Sequence, residues 1–188
     1  MDFDKLLKER HSVRKFKTIK KPNYREIINI VNSAQTCPLA GNIHSLRYVI
    51  VQDKDKIKEL AVAAQQDFIS EVEYVIVVCS DNKDLEANYY ERGEMYSRQQ
   101  AGAAIQTMLL KITELSLASC WVGAFSDDTV RRILKIPEDI DIEAMLPIGY
   151  ELEKTKQPRK PALDDVMYFD KWENRLMKPR RMSSGFQT

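Results

Sequence analysis

The sequence predicts a single domain that combines helices and strands. Three observations support this prediction. The chain has 188 residues, which suits one domain with a sizeable core. Strand-like segments alternate with helical ones along it, and the helical pattern over 85–116 has a small, apolar middle, "AGAAIQTMLL". Because a helix that is apolar nearly all round is normally enclosed by protein, we expect this one to be the central pillar or half of a subunit interface.

Local patterns assign an element to each stretch of the chain. The first part of the chain predicts a helix capped by Asp2 with Phe3, Leu6 and Leu7 inward, an extended "HSVRKF", and a helix "PNYREIINIVNSAQT" with Ile27, Ile28, Val31 and Ala34 on one face. A strand "RYVIV", a helix "KDKIKELAVAAQQ", a strand "EYVIVVCS" and the long helix follow. The last elements are a strand "ASCWVGAF" ending in a glycine turn, a helix "SDDTVRRIL" capped by Ser126 or Asp127, and a strand "AMLPIGYE".

The tail over 152–188 differs in composition from the rest. It is rich in Lys, Arg and Pro and has too few apolar residues to form a core of its own. We expect most of it to pack on a neighbouring surface, such as that of a second subunit, and its last ten residues to be disordered.

Composition limits the classes of function. Lys+Arg 29 against Asp+Glu 28 gives a formal net charge of +1, so no global field would draw the protein onto nucleic acid or a membrane. No apolar run has the length of a signal peptide core or a membrane span, and we therefore expect a cytoplasmic protein. The cysteines (Cys37, Cys79 and Cys120) are far apart, and with only two histidines they predict neither a disulfide framework nor a metal site.

The segment "ERHSVRKFK" is the first candidate for a binding site. On an extended strand, Arg10, Ser12 and Arg14 point to one side. Arginines flanking a hydroxyl suit a phosphate monoester, and a second basic group follows at Arg159 and Lys160. A basic strand edge can also serve only to prevent pairing with another edge, and the sequence does not bring the two groups together.

Several other kinds of site have no support in the sequence. There is no G-x-x-x-x-G-K-[ST], no G-x-G-x-x-G after a strand and no G-x-S-x-G, and His11 and His44 are too few to favour a Ser-His-Asp triad. A bound cofactor that carries the chemistry is the remaining economical hypothesis. "CPLAGN" and "CWVGAF" would then bring backbone close to a ligand, although each could equally be an ordinary loop or core packing of Trp121.

In this order and spacing, the segments resemble the nitroreductase family of FMN-dependent oxidoreductases. The resemblance extends over most of the chain, from about Leu6 to Trp172. It rests on the family's Arg-Arg/His-Ser-x-Arg/Lys-x-Phe/Tyr motif, a Pro-Ser-x-x-Asn loop that reads "PLAGN" here, the "AGAAIQTMLL" helix, "CWVGAF", "LKIPEDIDIEAMLPIGYE" and a later Arg-Lys-Pro. Departures are Leu39 for the serine of the loop, "HSL" at 44–46 for a usual Gln-Pro-Trp, and Gln100 for an acidic residue.

The resemblance implies an α+β fold with a mixed, largely antiparallel central sheet flanked by helices. It also implies an intertwined homodimer with an exchanged C-terminal arm and two FMN sites at the interface. Residues 1–175 would form one domain that includes the arm, and 176–188 a flexible tail.

The resemblance also assigns roles to residues. Arg10 and Arg159 would hold the phosphate of FMN with Lys160 close by, and His11 belongs to the same binding motif. Ser12 would hydrogen-bond the ribityl or phosphate region, and Arg14 would reach N1 and O2 of the flavin as the catalytic side chain. The remaining expected contacts are Pro38, Leu39 and Asn42 from the other subunit, the backbone of Gly123 and Ala124, and Gln66 at the isoalloxazine edge.

The implied activity is hydride transfer from NADH or NADPH through flavin N5 to a small electron-poor acceptor, such as a nitroaromatic or a quinone, in a ping-pong cycle. Two alternatives stay open. The protein could be an FMN carrier or sensor without efficient turnover, or a flavin enzyme of the same fold with reductive dehalogenase or flavin-fragmenting activity.

Overall fold

The computed structural model describes residues 2–155, 157 and 159–175. The chain divides into two compact units, Met1–Thr155 and Lys156–Thr188. The first unit contains the helices α1 (Phe3–Glu9), α2 (Tyr24–Ala34), α3 (Lys54–Ala64), α4 (Lys83–Tyr89), α5 (Gly93–Glu114) and α6 (Asp127–Leu134), and the strands β1 (Leu46–Val51), β2 (Tyr74–Ser80), β3 (Ala118–Ser119) and β4 (Asp141–Gly149). In the second unit, the described residues form one short helix, α7 (Leu163–Val166).

The four strands form one antiparallel sheet in the order β1-β2-β4-β3. A parallel bridge between Ser12 and Ser119 adds the extended segment after α1 to the β3 edge. The sheet is therefore largely antiparallel with one parallel contact, and the predicted α+β class is confirmed. The homodimer and its exchanged arm remain predictions.

Both faces of the sheet are covered by helices. Along β2, Val75 and Val77 pack in a cluster with residues of α3 and α6, whereas Ile76 and Val78 pack in a second cluster with residues of α2 and α5. All seven residues of β2 are buried. A strand covered on both faces reads as a continuous apolar run, which explains "EYVIVVCS".

The sequence predicted the capping residues of the helices better than it predicted which helix faces are buried. The side chains of Asp2 and Ser126 cap α1 and α6 as predicted. However, α1 has no buried residue, and Phe3 and Leu7 are exposed, so the expected inward face is wrong. On α2, Ile28 is exposed and Ile30 is buried instead.

The long helical pattern is broken in the structure. A 3-10 turn over Tyr90–Arg92 separates α4 from α5. At Gly93 a Cβ atom would lie 2.5 Å from the backbone of Glu86, so only glycine allows the two helices to approach this closely. The apolar middle belongs to α5, which lies on the sheet. None of the helices among the described residues has the length and apolar character needed to cross a membrane.

Candidate functional site

The extended segment after α1, residues 10–16, is fixed to the β3–β4 edge of the sheet; we call it the clamp segment. The N–H of Val13 donates to the Ser119 carbonyl at 3.0 Å, and the N–H of Leu152 donates to the Lys15 carbonyl at 3.0 Å. Val13 and Phe16 are buried, and Ser12 and Arg14 are exposed. The expected alternation therefore holds from Ser12 to Arg14, with these two side chains on the open side, and ends at Lys15, which is exposed although it follows Val13 by two residues.

Phe16 anchors the end of the clamp segment. Its side chain is 2% exposed, and its N–H donates to Glu71 Oε2 at 3.0 Å. A Cβ at position 149 would lie 2.8 Å from Phe16 Cδ1, so the ring occupies the space that Gly149 leaves open on β4. The clamp segment is thus held by core packing as well as by backbone hydrogen bonds.

His11 lies between two acceptors. Its Nδ1 is 2.6 Å from the Glu9 carbonyl oxygen, and its Nε2 is 2.8 Å from Glu151 Oε1. Glu151 Oε1 also accepts the Thr155 N–H at 3.0 Å. Burial lowers the pKa of His11, but the bonds to Glu151 and Glu9 outweigh it, and the pKa lies above its ordinary value. Burial raises the pKa of Glu151, yet the bonds from His11 and Thr155 leave it lowered.

Cys120 lies next to Ser12 and Arg14. Burial raises the pKa of its thiol, although Arg14 and a hydrogen bond with Ser12 act in the opposite direction. The thiol is therefore neutral, and it donates to the Trp121 carbonyl at 3.7 Å. Cys120 is buried, and nothing in the local sequence pattern indicated these neighbours.

The turn after β3 brings three further candidates to the same edge. Val122 forms a bridge with Met145, after which Gly123 and Ala124 are exposed. Within the part of the chain that the structure describes, the N–H groups of Gly123 and Ala124 have no protein acceptor. Gln66 Nε2 approaches the Ala124 carbonyl at 3.5 Å. Trp121 is 41% exposed, so core packing of Trp121 does not explain the sequence "CWVGAF".

The loop over Pro38–Asn42 lies elsewhere. It contains a 3-10 turn, Ala40–Asn42, in which Gly41 and Asn42 have φ of 56° and 58°. A side chain at Gly41 would meet the Tyr89 hydroxyl. Leu39 packs against the cluster of α2 and α5, whereas Pro38 and Asn42 are exposed.

The sheet separates this loop from the clamp segment. The loop leads into β1, whose first residue, Leu46, pairs with Ser80 at the far end of β2, and Ser80 pairs with Asp141. The clamp segment borders β3, where Ser119 pairs with Ile148 at the opposite end of β4. At about 4.8 Å per strand and 3.3 Å per residue, Leu46 and Ser119 are roughly 25 Å apart.

The predicted site residues therefore fall into three groups. One chain brings together Arg10, His11, Ser12, Arg14, Gly123, Ala124 and Gln66 at or near one sheet edge. Pro38, Leu39 and Asn42 are at the opposite corner. Arg159 and Lys160 are exposed residues of the second unit, which is described separately from the first.

Sequence reasoning missed two acidic residues that shape this edge. Glu71 accepts the N–H of Phe16, and Glu151 binds His11. Their partners lie 55 and 140 positions away in the chain, so no local pattern could have indicated them.

A cleft of about 140 Å³ lies next to the clamp segment. Its walls include Lys17, Lys20, Lys21 and Lys54. Lys21 and Lys54 both pair with Glu73, at 2.6 and 3.2 Å, and Lys20 Nζ lies 3.8 Å from the centre of the Tyr150 ring. Most of these cations therefore already have partners in the protein.

Comparison with known proteins identifies a family that the chain matches. Residues 7–73 and 61–150 match the sequence profile described as the nitroreductase family. The chain is 27% identical over 175 residues to an iodotyrosine deiodinase of Thermotoga neapolitana, covering 84% of this chain and 94% of that protein. It is 26% identical over 152 residues to an FMN reductase (NADPH) of Bacillus subtilis, covering 72% of this chain and 61% of that protein.

A solved structure agrees with the profile. The crystal structure of a nitroreductase family protein from Clostridium difficile 630 superimposes with a TM-score of 0.81 at 26% sequence identity. The match covers 91% of this chain and 99% of the other.

Proposed function

The chain belongs to the nitroreductase family, and we propose that it is an FMN-dependent oxidoreductase. In this proposal it takes hydride from NADH or NADPH and passes it to a small electron-poor acceptor, such as a nitroaromatic or a quinone, in a ping-pong cycle. The family match and the relative named FMN reductase (NADPH) support both the cofactor and the hydride donor.

One observation carries the proposal. At a single sheet edge, the exposed Ser12 and Arg14 lie on a clamp segment that also carries Arg10 and His11, and the N–H groups of Gly123 and Ala124 stand open nearby. Cations at one end and open backbone donors at the other fit a flavin mononucleotide, which has a dianionic phosphate and a ring system rich in acceptors. The residues present therefore fit the cofactor.

Each residue has a proposed task. Arg10 holds the phosphate with the parallel donors of its guanidinium, and Ser12 donates to the ribityl or phosphate oxygens. Arg14 faces N1 and O2, Gln66 approaches the ring edge, and Gly123 and Ala124 donate backbone N–H groups. Arg159 and Lys160 are proposed to add positive charge at the phosphate, as the family motif implies.

Bound FMN would supply the two-electron chemistry by accepting hydride at N5 and passing it on. Arg14 places a fixed positive charge where negative charge accumulates on reduction. The backbone that carries Arg14 is held by the Val13 N–H bond to the Ser119 carbonyl and by the buried Phe16, so the guanidinium projects from a fixed position. Arg14 is therefore the proposed catalytic residue.

The site as proposed needs a second copy of the chain. Pro38, Leu39 and Asn42 cannot reach the clamp segment of their own chain, because the sheet lies between them. In an intertwined homodimer, the loop of one copy covers the site of the other, and the arm within residues 1–175 embraces the partner. The tail predicted over residues 176–188 lies outside the described residues.

A second candidate function has one supporting observation. The deiodinase relative aligns with 94% of its own length, so this chain could instead reduce a halogenated phenol. The same reduced flavin site would serve both activities, and the two differ in the acceptor that is reduced. An FMN carrier or sensor without turnover is the third reading.

The absorbance spectrum of the purified protein, before and after anaerobic NADH or NADPH, tests the proposal. We expect flavin bands that bleach with the nicotinamide and return when a nitroaromatic or quinone is added. If only a halogenated phenol restores them, the protein is a dehalogenase. Bands that persist indicate a carrier, and a protein that stays colourless with excess FMN contradicts the proposal.

A further inference from the structure

We infer that His11 is a positioning residue rather than a ligand of the cofactor: as an imidazolium, it clasps the clamp segment to the residues after β4 and makes anion binding pH-dependent. This role rests on the proposed FMN site, but its first test needs no FMN. Both ring nitrogens are already taken by protein oxygens, so neither is free to donate to a phosphate.

The geometry of the ring requires the charged form. A neutral imidazole has one N–H donor and one acceptor nitrogen. Here both neighbours, the Glu9 carbonyl and Glu151 Oε1, can only accept, at 2.6 and 2.8 Å. A neutral ring would point a lone pair at an oxygen, whereas the imidazolium donates to both.

The clasp joins distant parts of the chain. His11 lies between Arg10 and Ser12, and Glu151 follows β4 and also accepts the Thr155 N–H. Holding His11 therefore fixes its two neighbours in the clamp segment and the chain out to the end of the first unit. The same carboxylate thus orders two stretches of chain together.

A nearby ion pair provides a natural contrast. Lys15 and Glu153 join the same two stretches of chain, with Nζ and Oε1 2.6 Å apart, but their side chains are 67% and 62% exposed. Those of His11 and Glu151 are 21% and 22% exposed. Because solvent screens exposed pairs, only the His11–Glu151 clasp should control the geometry of the clamp segment.

The direction of the pH effect follows from the charges. The charged groups acting on His11 are Glu151, from beyond β4, and Arg10, from its own segment, which opposes protonation. The pKa of folded His11 is raised, so the clasp contributes fully below the unfolded value and is lost as pH rises through the folded one. The FMN phosphate has the opposite trend, because it gains charge as pH rises through about 6.

The first experiment is histidine NMR on the protein without flavin. The chain has two histidines, so His44→Gln assigns both sets of signals. We expect the pKa of His11 to lie above the ordinary histidine value, with both ring nitrogens carrying protons below that pKa, and we expect Glu151→Gln to lower this pKa while Glu153→Gln leaves it unchanged. A His11 pKa at or below the ordinary value, or equal effects of the two variants, would overturn the inference.

The second experiment measures FMN affinity against pH by flavin fluorescence quenching. Wild-type affinity should fall as pH rises through the folded pKa of His11, and Glu151→Gln should move this fall to lower pH. His11→Gln should bind roughly fivefold more weakly at pH 7 and lose the alkaline fall, because it cannot carry the charge. His11→Arg should restore the affinity and also lack the fall, because its charge is permanent.

The outcomes separate the two proposals. If the affinity of His11→Gln falls with pH as that of the wild type does, His11 does not position the clamp segment. If wild-type protein binds no FMN at any pH, the proposed function fails, and the NMR result still decides whether the clasp exists.

Discussion

The clamp segment and the Pro38–Asn42 loop are predicted to touch the same cofactor, yet they are built differently. The clamp segment is fixed by backbone bonds to β3 and to the residues just after β4, and by the buried Phe16. The loop has one short turn, left-handed residues at Gly41 and Asn42, and a close approach to Tyr89. One region belongs to the sheet, and the other rests against a helix.

This difference indicates how the two regions can share the work of the proposed flavin site. A rigid edge suits the phosphate and the pyrimidine end of the flavin, where charge must be held in place. A loop with special backbone angles suits a cover that comes from a second copy and adapts to the acceptor. The two regions should therefore respond differently to substitution.

The largest expected effect, on activity, comes from two variants, one that disrupts the clamp segment and one that disrupts the Pro38–Asn42 loop. Arg14→Ala should lower kcat by about 100-fold, because it removes the proposed charge at N1 and O2. Gly41→Val should displace the loop, since position 41 has φ 56° and faces the Tyr89 hydroxyl. Each variant alone should be nearly inactive in nitroaromatic reduction.

Mixing the two variants sharpens this comparison. In mixed dimers, one of the two sites combines the intact clamp segment of one copy with the intact loop of the other. Co-expression should therefore restore up to about a quarter of wild-type activity. Activity that stays at the level of the single variants would show that the two regions do not share a site.

Gly149→Ala tests the rigid edge through stability. The added Cβ would lie 2.8 Å from the ring of the buried Phe16, so we expect a loss of about 1–3 kcal/mol in the free energy of unfolding. Chemical denaturation measures this loss. Gly102→Ala is the matched control, because its nearest neighbour is Trp121 Cη2 at 4.0 Å; a similar loss there would contradict the packing argument.

Gly41→Ala should have the smallest effect on stability, about 1 kcal/mol, since it forces alanine into a left-handed conformation. The Tyr89 hydroxyl is the far end of a side chain and can move aside. We expect KM for the acceptor to change while the affinity for FMN, measured by fluorescence, stays close to that of the wild type. A large loss of FMN affinity would place the loop at the phosphate end instead.

Most of the fold could be predicted from the sequence. Capping residues, the apolar run of β2 and the helical spacing of α2, α3 and α6 are local signals, and the structure follows them. The faces of α1 and the break before α5 could not be predicted in this way. They depend on what the helices pack against, and a short-range pattern does not contain that information.

The sequence by itself determined the clamp motif and the family to which the chain belongs, because these are carried by residue types at short spacings. The tertiary structure decided which side chains surround the motif: Cys120 near Arg14, Glu71 at Phe16 and Glu151 at His11. It also placed the Pro38–Asn42 loop at the opposite corner. Strand order and register determine these neighbours, because they bring together residues that are far apart in the chain.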